Sequence, residues 1–309
     1  MNEFKMILKI RIATRRSQLA LRQVDLVTEI LGKNVEASIL DIVTSGDKTL
    51  EKSLADIGGK GLFIKELENV ILNDKADIAV HSMKDMETEI AQNTIISAVL
   101  PRGDRSDLLI SGYSSFDDLP KGAVIGTSSV RRAAFAKSYR PDLIIKLLRG
   151  NVGTRIAKLN NGEFDGIILA KAGLDRLNIN IGHVIPKEII PPASTQGVIA
   201  IQSTNFKNTS LELNINNLLA EINDKKTYYE TLAERSFLGF LDGSCRTPIS
   251  ASAYVTENNN LILDGAIAKL DGTVVIKSSI SGLMEDAFLL GKELGKEIVS
   301  KGGKNLLAQ

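Results

Sequence analysis

Arginines recur in this chain where short apolar runs end. Arg15 follows KIRIAT, Arg149 follows DLIIKLL, and Arg131 and Arg132 open the helix-like stretch after AVIGTSS. Arg155 falls in the first turn of a further helical stretch, and Arg176 closes DGIILAKAGLDR. A guanidinium is a planar fork that matches carboxylate or phosphate, and helix N-termini add free N–H groups. Taken singly, each arginine reads as a solvated surface charge. As a set, arriving from separate strand ends, they read as the lining of a cleft for a polyanion. Asp85 is the outlier, an acid after the apolar run ADIAVHSM in cationic surroundings. Either it pairs with Lys84 or a nearby arginine, or it faces a reacting group that gains positive charge. His81 on the same run reads as a hydrogen-bonded structural residue rather than a catalyst.

LDGSCRTPIS holds Cys245, the only cysteine of 309 residues. Gly243, Ser244 and Pro248 are turn formers, which places the thiol on a loop rather than in a core. It is either a small bland residue or an exposed nucleophilic thiolate. Gly58-Gly59-Lys60-Gly61 lacks the spacing of a nucleotide-binding loop, and its glycines better suit a mobile flap.

The elements that position these groups follow from periodicity. KIRIAT reads as a strand, and residues 17–33 as a helix capped by Ser17, with Ala20, Val24, Val27 and Leu31 at helical spacing. A strand at 36–47, a helix at 61–74 and a strand at 76–83 complete a βαβαβ order, which predicts a parallel sheet covered by helices. The layout recurs as strand 123–129, helix 130–139, strand 142–150, helix 153–164 and strand 165–170. PRGDRSD (101–107) reads as a hinge, and IPPASTQG (190–197) as a second crossing where Pro191 and Pro192 prevent helix. VIAIQ is then expected to return to the first sheet. A helix at 225–241, strands at 249–256, 261–270 and 273–280 with a turn at Asp271-Gly272, and a helix at 285–300 read as a small α+β domain.

Composition narrows the function classes. The chain is 43% hydrophobic and 24% charged, as in globular proteins, with a net charge of +1 that gives no pull toward nucleic acid or membrane. One cysteine and two histidines argue against a disulfide scaffold and against a His/Cys metal site. The first residues lack an export-type apolar run and no stretch has the length of a membrane span, so a cytoplasmic protein is expected.

IATRRSQLAL, GGKGLFIKELE, ADIAVHSMKD, IGTSSVRR, LLRGNVGTR, ILAKAGLDRL, STQG and AERSFLGFLDGSC, in that order between residues 12 and 245, resemble the porphobilinogen deaminase (hydroxymethylbilane synthase) family. The resemblance implies two periplasmic-binding-protein-like βαβ domains around a cleft plus a small C-terminal α+β domain. Domain 1 would be residues 1–101 with a returning segment at 196–218, domain 2 residues 102–195, and domain 3 residues 219–309. It implies head-to-tail condensation of four porphobilinogen units with loss of ammonia, on a dipyrromethane primer, and hydrolytic release of a linear tetrapyrrole. The family suggests a monomer, with no nucleic-acid or membrane partner.

Residue by residue, the resemblance makes Cys245 the thioether anchor of the primer and Asp85 the catalytic carboxylate. Lys84, Asp85, Ser128, Ser129, Arg131, Arg132, Arg149 and Gly150 would contact the primer. Arg15, Ser17, Gln23, Lys60 and Thr127 would contact substrate, as would Arg149, Arg155, Gly173, Arg176 and Gln196. Each pyrrole carries an acetate and a propionate, which the arginines would meet. Loss of ammonia leaves an electron-poor azafulvene, and attack by the next ring puts positive charge on a pyrrole nitrogen. A carboxylate accepting that N–H stabilises the charge. The chain departs from the family pattern at Asp56, where lysine is common, at Ser244 before the cysteine, at METEIAQ after HSMKD, and at Thr195, where glycine is frequent. A two-domain binder of an anionic solute accounts for the arginines but not for Cys245 or Asp85. A nucleic-acid binder meets few aromatics for stacking.

Overall fold

The computed structural model describes residues 7–44, 64–205, 209–243 and 247–307, which form two compact units. The first unit holds residues 7–44, 64–102 and 198–228. Strand β1 (Leu8–Arg15) buries Ile10, Ile12 and Ala13. Helix α1 (Gln18–Leu31) starts at Ser17, whose hydroxyl accepts the Ala20 N–H at 3.2 Å, as its residue type predicts. Strand β2 (Val35–Ile42) pairs parallel with β1, and β3 (Ile78–Ser82) pairs parallel on the other side. Helix α2 (Lys65–Leu72) lays Leu67 and Ile71 against Ala13 and Ala79. Val24 and Val27 of α1 join Ile10, Ile12 and Ile78 in a separate cluster.

The returning segment arrives as β10 (Ile199–Thr204), between β3 and β4 (Thr94–Val99), so the order is β2-β1-β3-β10-β4. The expected return of this strand is therefore found. The expected parallel arrangement holds for β1, β2 and β3, while β10, whose direction the sequence left open, runs antiparallel to both neighbours. A strand entering from a distant part of the chain needs no right-handed crossover, so its direction is not set by the βαβ rule. Helix α6 (Ser210–Ile222) then adds Ile215 and Leu219 to the cluster around Ile10.

The second unit, residues 103–197 and 229–307, repeats the arrangement. Its strands are β5 (Asp107–Ser111), β6 (Val124–Gly126), β7 (Ile144–Lys146), β8 (Gly166–Ala170) and β9 (His183–Val184), in the order β7-β6-β8-β5-β9. β6 is parallel to β7 and β8, while β5 is antiparallel to β8 and β9. Helices α3 (Val130–Tyr139), α4 (Val152–Asn160) and α5 (Lys171–Arg176) follow β6, β7 and β8. The strand expected over 142–150 is only three residues long, because its partner β6 ends at Gly126. Asp107, expected in a hinge, is the first residue of a buried strand.

Helix α7 (Lys225–Phe240) leads to an antiparallel sheet of β11 (Ile249–Val255), β12 (Asn260–Ala268) and β13 (Val275–Leu283). Helix α8 (Ala287–Ser300) covers this sheet, and Phe237, Leu263, Leu294 and Ile298 share its core. Burying a phenylalanine such as Phe237 contributes about 2–3 kcal/mol. Helix α8 ends at its cap Lys301, and a short helix, α9 (Gly303–Leu307), follows. Among the described residues no helix is long and apolar enough to cross a membrane.

The segment 190–197 is non-helical, and Thr195 sits in it with φ of +57°. A β-branched residue is strained in that left-handed region, which accounts for glycine suiting the position. Its N–H donates to buried Glu234 at 2.5 Å, a bond that glycine would keep. Thr195→Gly is expected to stabilise the protein by about 1 kcal/mol. Thermal unfolding checks this; a lower Tm would show that the Thr195 side chain outweighs the strain.

Candidate functional site

In the first unit, the carboxyl ends of β1 and β3 bring together Arg15, Ser17, Gln23, Lys84 and Asp85. The run after β3 is a single 3₁₀ turn, Met83–Asp85, whose Met83 is buried. That anchors the turn and leaves Asp85 exposed beside Arg15, whose Nη1 lies 3.8 Å from the Asp85 carboxylate. This is a charge contact longer than a hydrogen bond, so it orients the carboxylate without saturating it. Gln23 is buried, and its amide donates to the Ser82 hydroxyl at 2.7 Å. It thus ties α1 to the end of β3, just before the turn that carries Lys84 and Asp85. Ser17 has its hydroxyl engaged as the α1 cap.

His81 is buried on β3, and its Nε2 has no hydrogen-bond partner among the described residues. Burial lowers its pKa to about 4, with the Arg15 charge acting in the same direction and Gln202 opposing. The imidazole is therefore neutral at pH 7, consistent with a structural role. Unfolding restores an ordinary pKa, so the unfolded state binds the proton first as pH falls from about 6.5. Stability is full above that pH and falls toward pH 4, by on the order of 3 kcal/mol. Denaturant melts across this range should show the loss, and His81→Gln should flatten it. An unchanged slope in that variant would contradict the assignment.

In the second unit, Thr127 and Ser129 shape the β6–α3 turn. The Thr127 N–H donates to Lys146 O at 3.1 Å, and the Ser129 N–H to Thr127 Oγ1 at 3.1 Å. Ser129 caps α3 by accepting the Arg132 N–H, with half-buried Ser128 beside it. Arg131 and Arg132, expected at the site as ligand contacts, are both buried. They donate to the two oxygens of Asp107 at 2.7 and 2.6 Å. Burial alone would raise the Asp107 carboxyl, but the two guanidiniums hold it well below the usual carboxylate range. Gln196 is also buried, and its amide donates to Asp107 at 2.9 Å and to Arg105 O at 2.8 Å.

Arg149 lies three residues beyond β7, on the segment leading to α4, and burial lowers its pKa. Gly150 has φ of +115°, and an added Cβ would lie 2.8 Å from Thr154 Cγ2, so this position requires glycine. Asn151 caps α4 through Thr154 N at 2.8 Å, and Arg155 Nε donates to Gly150 O at 2.8 Å. Arg176, at the end of α5, is brought down to about 10 by burial while Asp175 opposes, and it donates to Gly197 O at 2.6 Å. Half-buried Gly173 is on the same short helix. Desolvated arginines are poised for anions, because a carboxylate restores what burial removes.

Lys60, Asp56, Ser244 and Cys245 lie outside the described residues. Sequence reasoning missed Asp107 and Glu234. Buried Glu234 accepts N–H groups of Thr195 and Ala253, and Arg105 stands 3.9 Å away. The available signals were an acid heading the apolar run DLLI and an acid amid the apolar spacing of α7.

A family model described as "Porphobilinogen deaminase, dipyromethane cofactor binding domain" matches residues 10–212, and one described as "Porphobilinogen deaminase, C-terminal domain" matches residues 228–300. The chain is 42% identical to a porphobilinogen deaminase of Buchnera aphidicola subsp. Acyrthosiphon pisum, over 96% of this chain and 95% of that one. It is 41% identical to a porphobilinogen deaminase of Maridesulfovibrio salexigens, over 97% of each. Among solved structures it is similar to the probable amino-acid ABC transporter extracellular-binding protein ytmK of Bacillus subtilis, with a TM-score of 0.40 and 13% identity, over 75% of this chain and 97% of that one.

Proposed function

The chain belongs to the porphobilinogen deaminase family, and we propose that Asp85 is its catalytic carboxylate and Cys245 the anchor of its primer. The reaction is the stepwise head-to-tail condensation of four porphobilinogen units with release of ammonia, then hydrolysis to the linear tetrapyrrole of porphyrin biosynthesis. The family's cofactor is dipyrromethane.

The donor set fits such a group. Two linked pyrroles bear acetates and propionates, and the second unit offers guanidiniums, hydroxyls and a capped helix N-terminus at the ends of its strands. The Nε of buried Arg132 has no hydrogen-bond partner among the described residues, an orphaned donor of the kind a carboxylate satisfies. In the second unit, Arg131, Arg132, Arg149, Ser128, Ser129 and Gly150 would hold the group. When bound, it supplies an electron-rich pyrrole terminus to which units are added.

The chain's own residues do the rest. Arg15, Arg149, Arg155 and Arg176 bind the carboxylates of incoming substrate and growing chain, with Ser17, Gln23, Lys60, Thr127, Gly173 and Gln196 shaping or supporting those contacts. Asp85 accepts the pyrrole N–H as positive charge develops on the ring, both when ammonia leaves and when the next ring attacks. The observation that carries this role is that Asp85 is exposed and only 3.8 Å from one cation, whereas Asp107 is buried and saturated. A net charge of only +1 and a single cysteine support a cytoplasmic protein without nucleic-acid or membrane partners, and the family suggests a monomer.

Incubation with porphobilinogen is expected to release one ammonia per unit consumed, four per linear tetrapyrrole. Substrate binding without ammonia release would contradict the reading and leave a non-catalytic binder.

A further inference from the structure

Two arginines and one aspartate form a buried cluster whose charges do not cancel. Asp107 accepts from Arg131 Nη2 at 2.7 Å and from Arg132 Nη2 at 2.6 Å. Gln196 adds a third bond to the same carboxylate at 2.9 Å. Arg131 also donates to Pro191 O, and Arg132 to Ile168 O at 2.9 Å. All four side chains are buried. One positive charge is left over, and both arginines sit in the first turn of α3, where the helix end is itself positive and no acid is present.

Such a cluster is a poor stabilising device. Burying ions costs several kcal/mol each, and even a balanced buried pair is often no better than apolar side chains of similar volume. This one is unbalanced and leaves Arg132 Nε without a partner among the described residues. The energetics make sense if an anion completes it.

We propose that Asp107 is a positioning residue, which clamps Arg131 and Arg132 by its two oxygens so that they present a single net positive charge to a carboxylate of the primer. Asp107 itself touches no reacting atom. Each guanidinium spends one edge on Asp107 and on a backbone carbonyl, so its direction is set before the ligand arrives. The inference rests on the primer reading given above.

The test is a double-mutant cycle between Asp107→Asn and Cys245→Ser, read by denatured intact mass and by Tm. Mass gives the fraction of chains that carry the primer, and Tm gives what the primer adds to stability. A positioning role predicts that Asp107→Asn lowers the loaded fraction, or shrinks the Tm difference between loaded and Cys245→Ser protein by at least about twofold. A role in the fold alone lowers the Tm of loaded and unloaded protein equally and leaves loading unchanged, which would overturn the proposal. Should Asp107→Asn not accumulate folded, Asp107→Glu, which keeps the charge but moves it, is judged by the same two readouts. If the parent protein itself stays bare after incubation with porphobilinogen, the primer reading fails and this inference falls with it. A loaded parent and an equally loaded, additive variant sink only the role of Asp107.

Discussion

Asp85→Ala is expected to lower turnover by about 10²- to 10³-fold, the usual loss when a preorganised group facing developing charge is removed. The fold should survive. Asp85 is an exposed residue on a short 3₁₀ turn anchored by Met83, and its ion pair with Arg15 is 3.8 Å long. Surface pairs of that kind contribute little to stability. The signature is thus a collapsed kcat with a Tm near that of the parent. Asp85→Glu separates charge from position: it keeps the carboxylate but moves it by one methylene, and should fall between the two. Normal turnover by Asp85→Ala would remove this residue from the mechanism. A large drop in Tm would mean that the activity loss reports the fold instead.

Cys245→Ser is expected to abolish tetrapyrrole formation. A serine hydroxyl is of nearly the same size as the thiol but is far less nucleophilic, since the thiolate is the reactive form. Without an anchored primer, the chain has no terminus on which to count units. Binding of porphobilinogen should persist, because none of the arginines is altered. Sustained turnover by Cys245→Ser would contradict a covalent primer at this position.

How much of this was legible in the sequence depends on the range of the interaction. Local rules worked where the determinant is local. Ser17 caps α1, helix 130–139 has the expected ends, and Asp271-Gly272 lies in the loop between β12 and β13. The return of the chain as β10 was legible because VIAIQ is an apolar run after a proline-bounded crossing. Its antiparallel direction was not, since pairing with β3 and β4 is set by partners more than a hundred residues away. Strand β5 hid behind PRGDRSD, whose charges and turn formers describe the residues before Asp107 and not the strand that Asp107 starts.

The candidate site shows the same division. The arginine positions could be read from strand ends, and their chemistry from the guanidinium. Their differences could not. Arg131 and Arg132 look as available as Arg149 in the sequence, yet they are buried on Asp107, a partner more than twenty residues upstream. Gln196 is tied to the same acid from the other side of the unit's sequence. Thr195 departs from a family preference for glycine, and its φ of +57° gives the reason for that preference.

The central claim is a covalent primer on the single cysteine, and denatured intact mass tests it most directly. The purified protein should weigh more than its sequence by two linked pyrroles, and Cys245→Ser should carry no surplus. A surplus that persists in Cys245→Ser would place the primer elsewhere. A bare parent that takes up no mass from added porphobilinogen, and makes no tetrapyrrole, would contradict the account.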